Sequence, residues 1–253
     1  MQFIPSNSLL FRSAIDALKD FLPSAQMCIG PDGIKICGVD ASHIGYVDYF
    51  LSVDDSELLT LNDGPMTLGI NMITLARVLG QVNSGDKITL SVGKNTDKLN
   101  VSYINDKMAK KSVYELCLLD IDCALIELPE TTYNASVKAR TADIAALIKE
   151  VAQFGDVVGF RLDEDGFHVF TEGDISKVQL TLENTEDREM TLEISTVSVS
   201  FAMKCISNIL KGCGPLSPTV SLEFDDSQPL KAAFRFGEKS YFNAYLAPRV
   251  IDD

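Results

Sequence analysis

Acidic side chains gather at Asp54, Asp55 and Glu57, at Asp163, Glu164 and Asp165, and at Glu223, Asp225 and Asp226. A hydrolase could take its proton transfers from such groups. The partners that chemistry requires are missing. Only two histidines, His43 and His168, accompany the acids, and the chain has no nucleophile elbow and no phosphate-cradling glycine loop. The six cysteines, Cys28, Cys37, Cys117, Cys123, Cys205 and Cys213, form no Cys-x-x-Cys pair. The expected catalytic residues, metal ligands and cofactors are therefore none, and the cysteines read as buried thiols.

The other chemistry on offer is charge. Asp and Glu number 36 against 22 Lys and Arg, a net charge of −14, which as a total repels nucleic acid, so the placement of the cations decides. A hydrophobic share of 46% with 23% charged residues points to a well-packed core in one large or two medium domains. No apolar run approaches the roughly 20 residues that span a bilayer, and the N-terminus has no charged region followed by a long apolar stretch. No membrane partner and an intracellular protein are expected.

The elements that carry the cations occur twice. Residues 9–22 place Phe11, Ala14, Ile15, Leu18 and Phe21 on one helical face, and 133 positions later residues 141–154 place Ile144, Leu147, Ile148, Val151 and Phe154 on the same one. GPDGIKI at 30–36 is answered by DEDGFHV at 163–169, each an Asp-Gly turn entering alternating apolar residues. Residues 71–82 and 196–211 predict two more amphipathic helices, the second with Val199, Ala202, Met203, Ile206, Ile209 and Leu210 inward, and each precedes a pair of alternating strands. Such a plan is an α+β fold of two pseudo-repeated domains, 1–117 and 134–253, joined by an extended linker at 118–133.

At about 100° per residue, Lys149 and Arg77 lie opposite their helices' apolar faces, Lys204 and Lys211 share a stripe with Ser200, Ser207 and Asn208, and Arg12 and Lys19 share a flank. Strands and turns show acids outward. The duplicated plan gathers the cations into a basic surface on an acidic protein, one that suits a sequence-independent phosphate backbone.

Several stretches together resemble the eukaryotic-type sliding clamps of the proliferating cell nuclear antigen family, end to end: LLFRSAIDALKD, VDASHIGYVDYF, LGINMITLARVL, YELCLLDID, LPETTY, PLSPTVSLEF and YLAPRVIDD. The resemblance implies a head-to-tail homotrimeric ring, a processivity factor without enzymatic activity, with helices lining a hole around duplex DNA and sheets outside. It implies nuclear localisation, or the replication compartment of a DNA virus. The cations then expected on DNA are Arg12, Lys19, Arg77, Lys110, Lys149, Lys204 and Lys211. A hydrophobic pocket for short peptides of DNA polymerase, flap nuclease, ligase and clamp loader would be walled by His43, Ile44, Tyr46, Ile126, Leu128, Pro129, Pro229, Leu230, Tyr245, Ala247 and Pro248. Subunits would join through edge strands at 110–116 and 175–180, represented by Lys110, Ser112, Tyr114 and Leu116 and by Ile175, Lys177 and Gln179.

The chain departs from the family pattern at Ala146, Gly80 and Gln153, where relatives carry cations or histidine, so the hole is expected to be less basic, with Arg140 and Lys111 compensating. Tyr46 stands where leucine is usual and Glu127 where glycine is, which narrows the peptide repertoire toward ligands with a cation. Glu164 occupies the position of a lysine that relatives modify, so that route is absent or moved to a residue such as Lys177. The alternatives are a subunit of a heterotrimeric checkpoint ring or a ringless viral processivity factor.

Overall fold

Period-two alternation becomes strands and the i, i+3, i+4 spacing becomes helices, in two successive runs of the same order. The computed structural model describes residues 1–62, 64–94, 96–105, 109–121, 131–173 and 176–249. The first run is β1 (Gln2–Pro5), α1 (Ser8–Phe21), β2 (Ser24–Gly30), β3 (Gly33–Val39), β4 (Gly45–Ser52), β5 (Ser56–Thr60), β6 (Met66–Asn71), α2 (Met72–Leu79), β7 (Lys87–Ser91), β8 (Lys98–Asn105) and β9 (Lys110–Cys117). The second is β10 (Ala135–Arg140), α3 (Thr141–Val151), β11 (Val157–Asp163), β12 (Gly166–Glu172), β13 (Lys177–Leu182), β14 (Glu189–Leu192), β15 (Val197–Ala202), α4 (Met203–Cys213), β16 (Thr219–Phe224), β17 (Leu230–Phe236) and β18 (Ser240–Leu246). Strand neighbours repeat with the order. The runs β5-β1-β7-β8-β9 and β4-β3-β2-β6 recur as β14-β10-β16-β17-β18 and β13-β12-β11-β15.

By internal packing the chain forms two units, Met1–Ala41 with Val47–Ile126 and Phe236–Phe242, and Ser42–Tyr46 with Glu127–Arg235 and Asn243–Asp253. In the first, α1 and α2 pack on each other and bury Phe11, Ile15, Leu18, Leu75 and Leu79. In the second, α3 and α4 do the same with Ile144, Ile148, Val151, Ile206 and Ile209. Each such side chain contributes about 1.5–3 kcal/mol by leaving water.

Local chemistry fixes the helix starts. Asn7 accepts from Leu10 N at 3.0 Å and Asn71 from Thr74 N at 2.8 Å. Neither α3 nor α4 has a side-chain cap; Thr141 N donates to Pro218 O at 2.8 Å and Met203 N to Asp156 O at 2.9 Å instead. The two matching turns close at Gly33 and Gly166, with φ of 146° and 131°, where a Cβ would collide with the backbone oxygens of Leu51 and Leu182 respectively.

The structure corrects several expectations. Residues 196–211 are not one helix: Val197–Ala202 is strand β15, with Val197, Val199 and Phe201 buried. The stretch satisfied both periods, and the β-branched alternation prevailed because β15 pairs with β11 over its whole length. Ser200 therefore shares no helical stripe with Lys204. Helix α2 stops at Leu79 rather than Val82, and α3 stops at Val151, which leaves Phe154 45% exposed instead of inward. Among the acids taken as outward, Asp225 is buried, and Asp55 and Asp163 are part-buried and bonded. Of the five described cysteines only Cys213 is buried, and Cys117 is exposed; Cys123 lies outside the described residues.

Candidate functional site

On the helices, the predicted cations divide into two groups. Arg77 on α2, Lys149 on α3, and Lys204 and Lys211 on α4 are exposed and make no ion pair among the described residues. Arg12 and Lys19 on α1 are engaged. Arg12 Nη1 donates to Val82 O at 2.7 Å, holding the chain after α2. Lys19 Nζ lies 3.0 Å from both Asp16 and Asp20. Burial works to lower the Lys19 pKa, but those carboxylates outweigh it and hold it above the ordinary value. Lys110 is exposed on β9, as is Lys111. Arg140 is not a spare cation: its guanidinium straddles Asp143 at 3.0 and 2.9 Å.

The described residues expected to wall the pocket all belong to the second unit, and Ile44 and Tyr46 meet Ala247 and Tyr245 there. Ala247 N donates to Ile44 O at 2.8 Å, and Arg249 N to Ser200 O at 2.7 Å, so Pro248, which has no N–H, is held extended between two main-chain bonds. His43, with φ 57°, precedes Ile44, which is 42% exposed. Pro229 and Ala247 are also exposed, and Tyr245 and Pro248 half-buried. Tyr46 and Leu230, expected as walls, are both buried, with Tyr46 packed on Tyr245 at 5.7 Å between ring centroids. Ile126, Glu127, Leu128 and Pro129 lie outside the described residues.

Tyr133, which sequence reasoning did not single out, lies near enough to Tyr245 to feel its charge. Burial pushes its hydroxyl pKa up to about 12, with Tyr245 and Glu223 adding to the shift, so it remains a donor beside the half-buried Tyr245. Its only sequence signal was an aromatic closing the Pro turn. The neighbouring turn is fixed by Asp225, which accepts from the backbone and the side-chain amide of Asn134.

Strands β9 and β13 each end a run of paired strands. On β9, Ser112, Tyr114 and Leu116 are half-buried while Val113 is 59% exposed; on β13, Val178, Leu180 and Leu182 are half-buried. Tyr114 stacks on Tyr103 with the hydroxyls 3.1 Å apart. Lys177 pairs with Glu172 at 2.8 Å, and Ile175 lies outside the described residues. Gln179 belongs to a cluster that joins β11, β12 and β13: buried His168 bonds Asp163 through Nε2 and Thr181 through Nδ1, both at 2.8 Å, and Arg161 reaches Asp163 at 3.1 Å and Gln179 at 3.2 Å.

Partial burial pushes the Asp163 pKa upward, but the bonds from His168 and from the Asp165 backbone and the Arg161 charge prevail and hold it below the ordinary carboxylate value. A carboxyl depressed on folding stabilises above its unfolded pKa, and that contribution is lost as pH falls through the folded value. Thermal unfolding of Asp163→Asn is therefore expected to show its full deficit against the parent near neutrality and a shrinking deficit as pH falls below the ordinary carboxylate range. A deficit constant across that range would mean that the carboxylate charge is not what the cluster uses.

Comparison with known proteins bears on the whole chain. Residues 4–125 match the family described as "Proliferating cell nuclear antigen, N-terminal domain", and residues 127–249 match its C-terminal domain. Among solved structures, a proliferating cellular nuclear antigen from Entamoeba histolytica superposes with a TM-score of 0.89 at 24% identity, covering 98% of each chain. That likeness is one of fold.

Proposed function

Since the chain belongs to the proliferating cell nuclear antigen family of sliding clamps, which are not enzymes, we propose that it closes with two further copies into a head-to-tail ring around duplex DNA and tethers replication and repair proteins there. The domains would be 1–117 and 134–253, joined by a connecting loop at 118–133. Its partners are double-stranded DNA of any sequence, itself, and DNA polymerase, flap nuclease, ligase and clamp loader through short peptides. Its compartment is the nucleus.

The observation that carries the reading is the doubled element order with four exposed cations on α2, α3 and α4 that form no ion pair among the described residues. A phosphate backbone needs nothing more sequence-specific than such charges. For the ring, the support is topological. In the doubled order β9 corresponds to β18 and β13 to β4; β18 and β4 are hydrogen-bonded neighbours, whereas β9 and β13 have no described neighbour on the equivalent side. A second copy that repeats the β18 and β4 pairing with β9 and β13 would complete both half-buried rows and remove two open edges.

The peptide site rests on Ile44, Tyr133, Pro229, Tyr245, Ala247 and the extended tail, an apolar surface with a tyrosine donor and main-chain acceptors at its margin. Titration of a labelled polymerase-type clamp-binding peptide tests it. Ile44→Ala with Tyr245→Ala is expected to weaken binding by at least tenfold, about 1.4 kcal/mol, with the molar mass of the assembly unchanged. Unaltered affinity in that variant would refute the site.

A further inference from the structure

The pairing of β4 with β18 inside the chain is a template for β13 and β9 at residue level, because the duplication fixes which residue stands for which. The turn glycines give one half of the correspondence. A Cβ on Gly33 would meet Leu51 O and one on Gly166 would meet Leu182 O, so Leu51 of β4 corresponds to Leu182 of β13. Counting back along both strands, Tyr46 corresponds to Lys177 and Phe50 to Thr181.

The chain that follows the last strand of each run gives the other half. Leu119 N donates to Gly69 O at 2.8 Å, and Arg249 N to Ser200 O at 2.7 Å. Gly69 lies opposite Gln26 of β2 and Ser200 opposite Gly159 of β11, each the third residue of its strand. Leu119 therefore corresponds to Arg249, and counting back, Glu115 corresponds to Tyr245 and Lys111 to Tyr241. Burial agrees: Ser112, Tyr114 and Leu116, half-buried on β9, stand for Phe242, Ala244 and Leu246, buried on β18.

Two aromatic contacts mark where β4 and β18 meet. Tyr46 packs on Tyr245 with ring centroids 5.7 Å apart, and Phe50 on Tyr241, also at 5.7 Å. Carried over to β13 and β9, the first becomes Lys177 against Glu115 and the second Thr181 against Lys111. The surrounding charges suit the first of these. Glu115 holds Lys98 at 2.9 Å and Lys177 holds Glu172 at 2.8 Å, with all four side chains 46–65% exposed. Joined edge to edge they form a row of alternating sign, Lys98, Glu115, Lys177 and Glu172.

We propose that Glu115 of one copy pairs with Lys177 of the next, and that this ion pair selects the register in which β9 accepts β13. The inference rests on the ring reading above and adds to it the pair that specifies the joint. A slip of two residues would set Glu115 against Gln179 and Lys177 against Cys117, which forfeits the attraction. One such exposed pair contributes little, but a ring repeats it at three joints. The joint between copies is charged where its counterpart inside the chain is aromatic, so salt loosens it.

The test is light scattering of the intact protein diluted from micromolar to nanomolar concentration, with Glu115→Lys, Lys177→Glu and the double reversal beside it. Either single reversal opposes like charges at every joint. A loss of about threefold per joint multiplies over three joints, and because the trimer constant scales with the square of concentration, the dissociation midpoint should rise about fivefold. The double reversal restores opposite signs across the joint and should return the midpoint to about that of the parent. Its new like-charge contacts with Lys98 and Glu172 exist in monomer and ring alike, so they move unfolding and not assembly. At 1 M salt, where the Debye length is about 3 Å, the four proteins should dissociate together. Single reversals with the parent's midpoint, or a double reversal that dissociates as readily as the singles, would overturn the pair and leave the ring standing. A parent of 27.7 kDa at micromolar concentration would overturn the ring as well.

Discussion

Replacing Leu180 by glutamate should turn the assembled protein into a monomer, with the mass measured by light scattering at micromolar concentration falling from three times 27.7 kDa to 27.7 kDa. Leu180 sits on β13, an outermost strand, half-buried in a row with Val178 and Leu182. Among the described residues no strand lies beyond β13, and in the proposed ring a second copy would complete that burial. A carboxylate inserted there would have to shed its hydration without a cation partner, which costs far more than an apolar contact returns. The cost falls on the joint and not on the monomer, because in the single chain position 180 keeps access to water; the unfolding midpoint should therefore drop by only a few degrees for about 1 kcal/mol lost. The same variant should slip from closed circular DNA as readily as from linear DNA, since topological retention needs a closed ring. A trimer that persists in Leu180→Glu would place the joint elsewhere.

Removing the four exposed helix cations together, Arg77, Lys149, Lys204 and Lys211 to alanine, is expected to lower the salt slope of duplex binding by about one unit per cation lost from contact. Retention and polymerase stimulation at physiological salt should fall with it. The paired change Arg12→Ala with Lys19→Ala is the contrasting control. Arg12 is committed to Val82 O and Lys19 to two carboxylates, so their removal should move stability more than the salt slope. Lys19 is an exposed pair of the kind worth about 0–1 kcal/mol. Equal losses of slope in the two variants would mean that the division between free and engaged cations has no bearing on DNA.

Much of this was legible in the sequence, and the reasons are local. The match of Phe11, Ala14, Ile15 and Leu18 with Ile144, Leu147, Ile148 and Val151 is a pattern of periodicity, which needs only side-chain type and spacing. Asp-Gly turns before alternating strands encode positive φ in a single residue, and Gly33 and Gly166 use it. The two-helix, many-strand plan followed from those signals. Residues 196–211 show where such reading ends: Val199, Ala202, Met203 and Ile206 fit a helix and Val197, Val199 and Phe201 fit a strand equally well, and pairing with β11 settled the choice.

The sequence by itself determined the α+β class, the duplication, the absence of any catalytic constellation and which helix faces carry Lys and Arg, because each is a statement about residue types along one element. Only the tertiary structure decided which of those cations are spent on neighbours and that Tyr46 and Leu230 are buried rather than exposed. Those facts depend on partners distant along the chain, such as Val82 for Arg12 and Tyr245 for Tyr46. Periodicity fixes the face a side chain occupies, but its partner across space is set by packing.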